Sequence, residues 1–560
     1  MRVTKKKLFL ISLLVLCFLT GCEKTVQEEE AIDTLSRATE NIQDFSEEKE
    51  IVVAVNIDGS ATRVIIDNVW FNRSRFIGGL LFQSLLIAEE NMNNVEPDLC
   101  SEYSISPDGL TYVFHLRNDN YWHDGTKLTM EDIRWSIETS LKAKSINGYL
   151  KKGLQKIEGA EEFENGISEE LSGVRIEGEN LIIKITARDD DFLGGLAQLA
   201  ILPKHCFEGV KPDDIENSSF WENPIGSGPY KVKERRDKEI VLEKNTDYNG
   251  RLPNIDIIRF VILDNPGEDS FDFAMTSDPI MVKKYMEDSS YKVVRSNNLY
   301  YRYLMFNIDG KTGKTGELLK NQKIRYALYL GLDRKRIIDE VYQGAAIPIN
   351  TGIEKDSFWY RVSEDEETNY NPEKARQILE EENFDFSETL VLTHYSHDEI
   401  SLELINRIVQ SWNQLGIQVD VVPIQSTQTD KMWVDTDWYN IGLKNLAAVD
   451  YSEWYYEYAS SNPLWSKVLS GRTEFDSLVG KLNGSLWAYE RKELYEQLQK
   501  RELECIYKIP LAIVPQYVIY NHTHLDIPRP EFPNLWYYFD LHIEDWEVGE
   551  TENLRKGEKL

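Results

Sequence analysis

Pro107-Asp108-Gly109-Leu110-Thr111-Tyr112-Val113-Phe114-His115-Leu116-Arg117 runs on to Trp122-His123-Asp124-Gly125 and then to Leu128-Thr129-Met130-Glu131-Asp132. Leu110 to Leu116 reads as a strand with Tyr112, Phe114 and Leu116 on one face, because alternate side chains share a face of an extended chain. Asp124-Gly125 is a turn signal. Thr129 followed three residues later by Asp132 is a capping box, which predicts a helix from Met130 through Trp135 to about Leu141. A strand, a turn and a capped helix therefore follow one another within a short span.

The same alternation continues outward. Ile51-Val52-Val53-Ala54-Val55 is a buried strand by length and β-branching, and Leu181 to Ile185 is another. Asn371-Pro372 is an N-cap followed by proline at the first helical position. Leu404, Ile405, Ile408, Val409, Trp412 and Leu415 carry the 3,4 period of a helix from Ile400, with Gly416 as its C′ residue. Ile417, Val419 and Val421 then alternate as a strand. A further helix is predicted from about Glu490 to Tyr507, with Pro510 as its stop. The mixture points to α/β lobes rather than a bundle or sandwich.

Composition narrows the function classes. The 560 residues hold 63 Lys+Arg against 95 Asp+Glu, a formal net charge of −32, which repels nucleic acid over the whole surface. With 13 Trp, 29 Tyr and 21 Phe the chain has far more aromatic area than a disordered acidic chain, so several lobes with large cores are expected.

Met1 to Cys22 has the order of a secretory signal: Arg2, Lys5, Lys6 and Lys7, then the apolar run Leu8 to Leu19, too short to span a membrane. Leu19-Thr20-Gly21-Cys22 resembles the lipobox of bacterial lipoproteins. That resemblance implies a signal peptide over 1–21, acylation of Cys22 and anchoring to the membrane through two lipid chains. Residues 22–49 are rich in glutamate and read as an acidic tether. Cys100, Cys206 and Cys505 are an odd set without C-x-x-C spacing and read as small buried hydrophobes.

Further blocks carry a family resemblance. The opening stretch, Ile157-Glu158-Gly159, Ile201-Leu202-Pro203-Lys204-His205, Asn223-Pro224-Ile225-Gly226-Ser227-Gly228-Pro229-Tyr230, Phe306-Asn307, Ile324-Arg325-Tyr326-Ala327, Leu332-Asp333-Arg334 and Tyr370-Asn371-Pro372-Glu373-Lys374-Ala375 together resemble the family 5 extracellular solute-binding proteins of bacterial ABC importers. The resemblance implies an α/β, two-lobed periplasmic-binding-protein-like clamp (type II, cluster C) with an extra inserted domain. Domain I would comprise 50–75, 190–300 and 508–548, domain II the insertion 76–189, and domain III 301–507, with a hinge near Tyr303 and Ile509 and a tail over 549–560.

The same resemblance implies no enzyme, no cofactor, and a monomer that holds an oligopeptide between lobes and delivers it to ABC permease subunits. Asp450, in Val449-Asp450-Tyr451, matches the family's aspartate for the peptide α-ammonium. Its flanks depart from the family's, since Leu446-Ala447-Ala448 stands where a Gly-Trp is usual. Tyr451 and Trp454 follow in an aromatic-rich stretch and are further candidates for ligand contact, and His397 lies near where some relatives place a cation for the peptide carboxylate. A nickel chelate, haem or an oligosaccharide on the same fold, or a peptide sensor without transport, are the alternatives.

Chemistry of other kinds finds no purchase. Gly310-Lys311-Thr312-Gly313-Lys314-Thr315 lacks P-loop spacing, and Gly226-Ser227-Gly228 lacks that of a nucleophile elbow. His522-Thr523-His524 and His394-Tyr395-Ser396-His397 are pairs without a third ligand, so no metal site and no catalytic set are proposed.

Overall fold

The computed structural model describes residues 48–549 apart from 58–60, 71–74, 89–93, 190, 266–267, 310–312, 363–369, 485–487, 533 and 536–540. The signal segment, Cys22 and most of the expected tether lie outside the described residues. At Lys49 the chain joins the first sheet, its amide donating to the Asp256 carboxylate at 3.0 Å.

That sheet has seven strands, in the order Tyr291–Arg295, Tyr517–Asn521, Phe273–Thr276, Glu50–Ala54, Ile257–Val261, Glu239–Lys244 and Tyr230–Arg236. Glu50–Ala54 lies at its centre and runs parallel to both neighbours. Its β-branched residues Ile51 and Val53 are buried, as expected for a strand with neighbours on both edges. A second sheet has the order Ile347–Pro348, Lys508–Ile513, Leu299–Phe306, Ile441–Ala448, Thr389–His394 and Gln418–Pro423. Thr389–His394 pairs in parallel with Gln418–Pro423 through the helix Glu399–Gln414. That helix buries Leu404, Ile405, Ile408 and Trp412, and Gly416 leaves it at φ +84°.

The opening stretch folds close to its reading. Thr111–Leu116 is a strand in a four-stranded sheet, and Met130–Lys142 is a helix with the Thr129/Asp132 capping box in place. This inserted sheet does not enclose a core of its own. Phe114 and Ile137 belong to the same apolar cluster as Ile51 and Tyr230 of the first sheet, whereas the second sheet has a separate one. Cys100 is a buried free thiol within the first cluster, its pKa pushed up to about 11 by desolvation.

Two sequence blocks lock insertion and first lobe together. The Gly226 amide donates to His123 Nδ1 at 3.1 Å, and His123 Nε2 stands 3.1 Å from the Gly228 carbonyl, so the proton sits on Nε2. Desolvation pulls this imidazole down to about pKa 4, which keeps it neutral, and the two hydrogen bonds fix that tautomer. A Cβ on Gly226 would lie 1.8 Å from the Leu81 carbonyl oxygen. Gly226 is required for the close approach of two backbones.

The two lobes are joined by neighbouring crossings, and these lie away from the expected hinge. Tyr303 and Ile509 both sit inside the second sheet, where Leu299–Phe306 pairs antiparallel with Lys508–Ile513. The whole of 508–513, assigned to domain I on resemblance, is thus a strand of the second lobe. The crossings fall at 296–298 and 514–516. Ser296 donates its amide to the Gln516 carbonyl at 2.9 Å, and the Gln516 amide donates to Asn298 Oδ1 at 2.6 Å. Pro510 does not end the preceding helix either. The helix Ala488–Cys505 stops at Ile506, whose φ is +47°, and Pro510 stands in the strand opposite Tyr303, where the register shifts and a missing N–H is tolerated.

Lys508 is the buried end of this crossing strand. Its Nζ lies 2.5 Å from Glu457 Oε2 and 3.1 Å from the Trp454 carbonyl, with the rings of Trp454, Tyr458, Trp465 and Tyr303 at 3.9, 4.2, 4.6 and 5.0 Å. Burial lowers the ammonium pKa, and the Glu457 charge opposes that shift.

Two predictions follow from these packings. Gly226→Ala should destabilise the protein by at least about 2 kcal/mol through backbone overpacking, read as a lowered thermal midpoint; an unchanged midpoint would contradict the close approach. Lys508→Met should cost about 3–5 kcal/mol in urea denaturation by leaving Glu457 unpaired, and adding Glu457→Gln should restore a large part of the loss. Equal losses in the single and double variants would show that the ion pair is not the cause.

Candidate functional site

Asp450 follows the strand Ile441–Ala448 and caps the short helix Tyr451–Tyr456. Aspartate suits that position because a side-chain oxygen satisfies an orphan amide of the first turn. Its Oδ1 accepts from the Ser452 amide at 2.8 Å and from the Ser452 hydroxyl at 2.5 Å. Its Oδ2 accepts from Arg491 Nη2 at 3.1 Å, and the side chain is 43% exposed. Arg491 belongs to the helix Ala488–Cys505 and also reaches the Tyr495 hydroxyl at 3.4 Å.

Tyr451 is half-buried and reaches towards the first lobe. Its hydroxyl donates to Glu354 Oε1 at 3.4 Å, and Glu354 Oε2 lies 3.7 Å from Arg295 Nη1, on the edge strand of the first sheet. Trp454, expected among the ligand-contacting residues, is instead fully buried. Its indole N–H donates to Glu502 Oε1 at 2.8 Å, its ring lies 4.6 Å from that of Tyr301, and a Cβ on Gly352 would fall 2.0 Å from it. The ring packs inward, against Tyr301 and Tyr303 of the strand Leu299–Phe306. Glu502 also accepts from the Tyr458 hydroxyl at 2.8 Å and the Gly352 amide at 3.0 Å, and desolvation raises its pKa.

His397 is exposed in the loop before the helix Glu399–Gln414, with Nε2 3.0 Å from the Ile424 carbonyl and its ring 5.9 Å from that of His394. No hydrogen bond or ion pair joins it to Asp450 among the described residues. Lys444 stands on the strand that leads to Asp450, its Nζ over the rings of Trp433 and Tyr395 at 5.0 and 5.1 Å and its pKa lowered by desolvation.

The first lobe and its insertion supply charges that interact with Asp450. Lys152 pairs with Asp191 at 3.6 Å and Lys156 with Asp189 at 3.5 Å, and Asp191 and Lys152 are both within electrostatic range of Asp450. Glu453, one turn along the capped helix, accepts from the Val449 amide at 3.1 Å. Desolvation, reinforced by the Asp450 charge, raises its carboxyl to about pKa 7. Arg491, Glu453, Glu354 and Lys444 escaped the sequence reading. Arg491 is 41 residues from its partner, and nothing local marks it.

A separate cavity of about 240 Å³ lies among Gln83, Asp98, Arg117 and Asn249, at the junction of the first lobe with the insertion, and none of the residues above lines it. Among the described residues no group of three or more His, Cys, Asp or Glu is placed to hold a metal ion. Nor is any of their helices long and apolar enough to cross a membrane.

A Brucella ovis protein named as an ABC transporter peptide-binding protein is 26% identical over 376 residues, covering 64% of each chain, so the match spans less than two thirds of that relative's length. The structure of the oligopeptide-binding protein AppA of Bacillus subtilis, in complex with a nonapeptide, superposes with a TM-score of 0.68 at 20% identity, covering 90% of this chain and 100% of that one. NikA of Brucella suis, in complex with Fe(III)-EDTA, gives 0.70 at 16% identity, covering 89% and 100%. The two share the fold while holding different ligands, so these likenesses speak for architecture alone. The sequence profile of the bacterial extracellular solute-binding proteins, family 5, matches residues 94–465. With more than half of its length matched and the two-lobed α/β architecture in place, the chain belongs to the family 5 extracellular solute-binding proteins.

Proposed function

We propose that the protein is a lipid-anchored, extracytoplasmic receptor that holds oligopeptides between its two lobes and hands them to the permease of an ABC transporter. The observation that carries this reading is Asp450: a carboxylate fixed by a helix cap, still 43% exposed, at the end of a second-lobe strand and within electrostatic range of charges of the first lobe and its insertion. A capped carboxylate is pre-organised for a charge-assisted contact with a ligand ammonium, which needs no reordering of the side chain on binding. Tyr451 contributes beside it, because its contact with Glu354 couples the site to Arg295 of the first lobe. His397, exposed on the same lobe, is the side chain offered to a peptide carboxylate, and main-chain hydrogen bonds to an extended ligand would tolerate varied sequences. Cys22 would carry the lipid. The peptide-binding relative supports the ligand class, and the buried position of Trp454 removes that ring from the reading.

The test is native mass spectrometry of the soluble chain from Glu23 onward, purified without denaturation, beside Asp450→Asn. That variant keeps an oxygen for the Ser452 amide and removes both the charge and the oxygen that accepts from Arg491, which leaves Arg491 facing the ligand amine unopposed. A ladder of co-purified peptide masses is expected on the parent, with affinity for free-amine peptides at least about tenfold lower in Asp450→Asn. A parent that carries a single non-peptide mass, or remains empty when offered peptide mixtures, would end the peptide reading and leave the fold assignment standing.

A further inference from the structure

We infer that Arg491 determines which amino termini this site accepts, because it holds the one oxygen of Asp450 that the helix cap leaves over. The inference rests on the peptide reading of Asp450. An ionised carboxylate has about four acceptor positions. Two, on Oδ1, serve the Ser452 amide and hydroxyl, and one, on Oδ2, serves Arg491 Nη2. One position on Oδ2 remains, beside a guanidinium that is itself held by Tyr495. Asp450 and Tyr495 favour its charged form against the effect of desolvation.

The surrounding charges are matched before any ligand arrives. Asp450 pairs with Arg491, Asp191 with Lys152 and Asp189 with Lys156. Among the described residues Glu453 is the acid of this group without an ion pair, and its carboxyl, raised to about pKa 7, is partly protonated at neutral pH. An α-ammonium docking on the last position of Asp450 therefore gains one carboxylate and meets the guanidinium bound to the same oxygen. The two Coulomb contributions have opposite sign, so part of the advantage of a charged amine cancels. An uncharged amide N–H at the same position keeps the hydrogen bond and meets far less repulsion. The guanidinium accordingly narrows the gap between peptides with a free amine there and peptides whose first nitrogen is blocked or that extend beyond Asp450. Removing Arg491 converts Asp450 into an unmatched carboxylate that selects the ammonium.

The experiment uses an equimolar nonapeptide pool in free and N-acetylated forms, offered to the soluble chain from Glu23 onward and to Arg491→Met and Arg491→Gln. Occupancy of each form is read by native mass spectrometry. Two variants are used because one retains polarity at the site, and circular dichroism checks that each is folded. The parent is expected to hold the two forms within about threefold of each other, and both variants to shift the ratio towards the free form by at least about tenfold. A parent that already favours the free form by more than about tenfold, with a ratio unmoved in both variants, overturns the role of Arg491 while leaving the peptide reading intact. Failure of every chain to bind either form sinks the peptide reading itself and this inference with it.

Discussion

The antiparallel pairing of Leu299–Phe306 with Lys508–Ile513 is the constraint on which the architecture hangs. It joins segments some two hundred residues apart and places the entry to the second lobe beside its exit. Loop closure over such a span is entropically costly, and the pairing is held by what it buries. Lys508 anchors one end of the pair in an aromatic cluster, with Glu457 as its counter-ion. Each ion alone would be expensive to bury in so apolar a surrounding, so the pair and its hydrogen bonds stand or fall together. At the other end, Asn298 ties the two crossings to each other, accepting from the Gln516 amide at 2.6 Å and donating to the Val514 carbonyl at 3.4 Å. The lobes also meet beside the crossings, where Tyr517 of the first lobe packs with Ala345 of the second and donates its hydroxyl to that residue's carbonyl at 3.1 Å.

The inserted sheet obeys a different logic. It shares one apolar cluster with the first sheet, and His123 knits it to the Gly226–Gly228 turn through both ring nitrogens. First lobe and insertion behave as one packed body, while the second lobe has its own core. Asp450 and Tyr451 belong to the second lobe. Their partners Asp191, Lys152 and Arg295 come from the first lobe and its insertion, so the electrostatics of the site depend on how two bodies meet.

Local structure was largely legible in the chain. The capping box at Thr129, the N-cap at Asn371, the helical stripe ending at Gly416 and the central strand at Ile51 stand where their patterns predict, because each depends on neighbours within a few residues. The misplacements have a common cause. Pro510 reads as a helix stop until the strand opposite it is known, and the hinge reads as Tyr303 and Ile509 until the pairing that buries both is seen. Trp454 reads as a ligand contact from its nearness to Asp450, yet its ring packs against Gly352 and its indole N–H is taken by Glu502, partners distant in sequence.

What the sequence determined by itself was the set of local elements, the acidic character of the chain and, through its family blocks, the two-lobed α/β class. Those follow from short-range periodicity, capping chemistry and recurrent motifs. Only the tertiary structure decided that Asp450 shares its carboxylate with Arg491, that Glu453 is desolvated beside it, and that Lys508 is sealed among four rings. Each of these brings together residues separated by dozens of positions or from separate lobes, or depends on the exclusion of water. Neither proximity across the fold nor local dielectric is written in the neighbours of a residue along the chain.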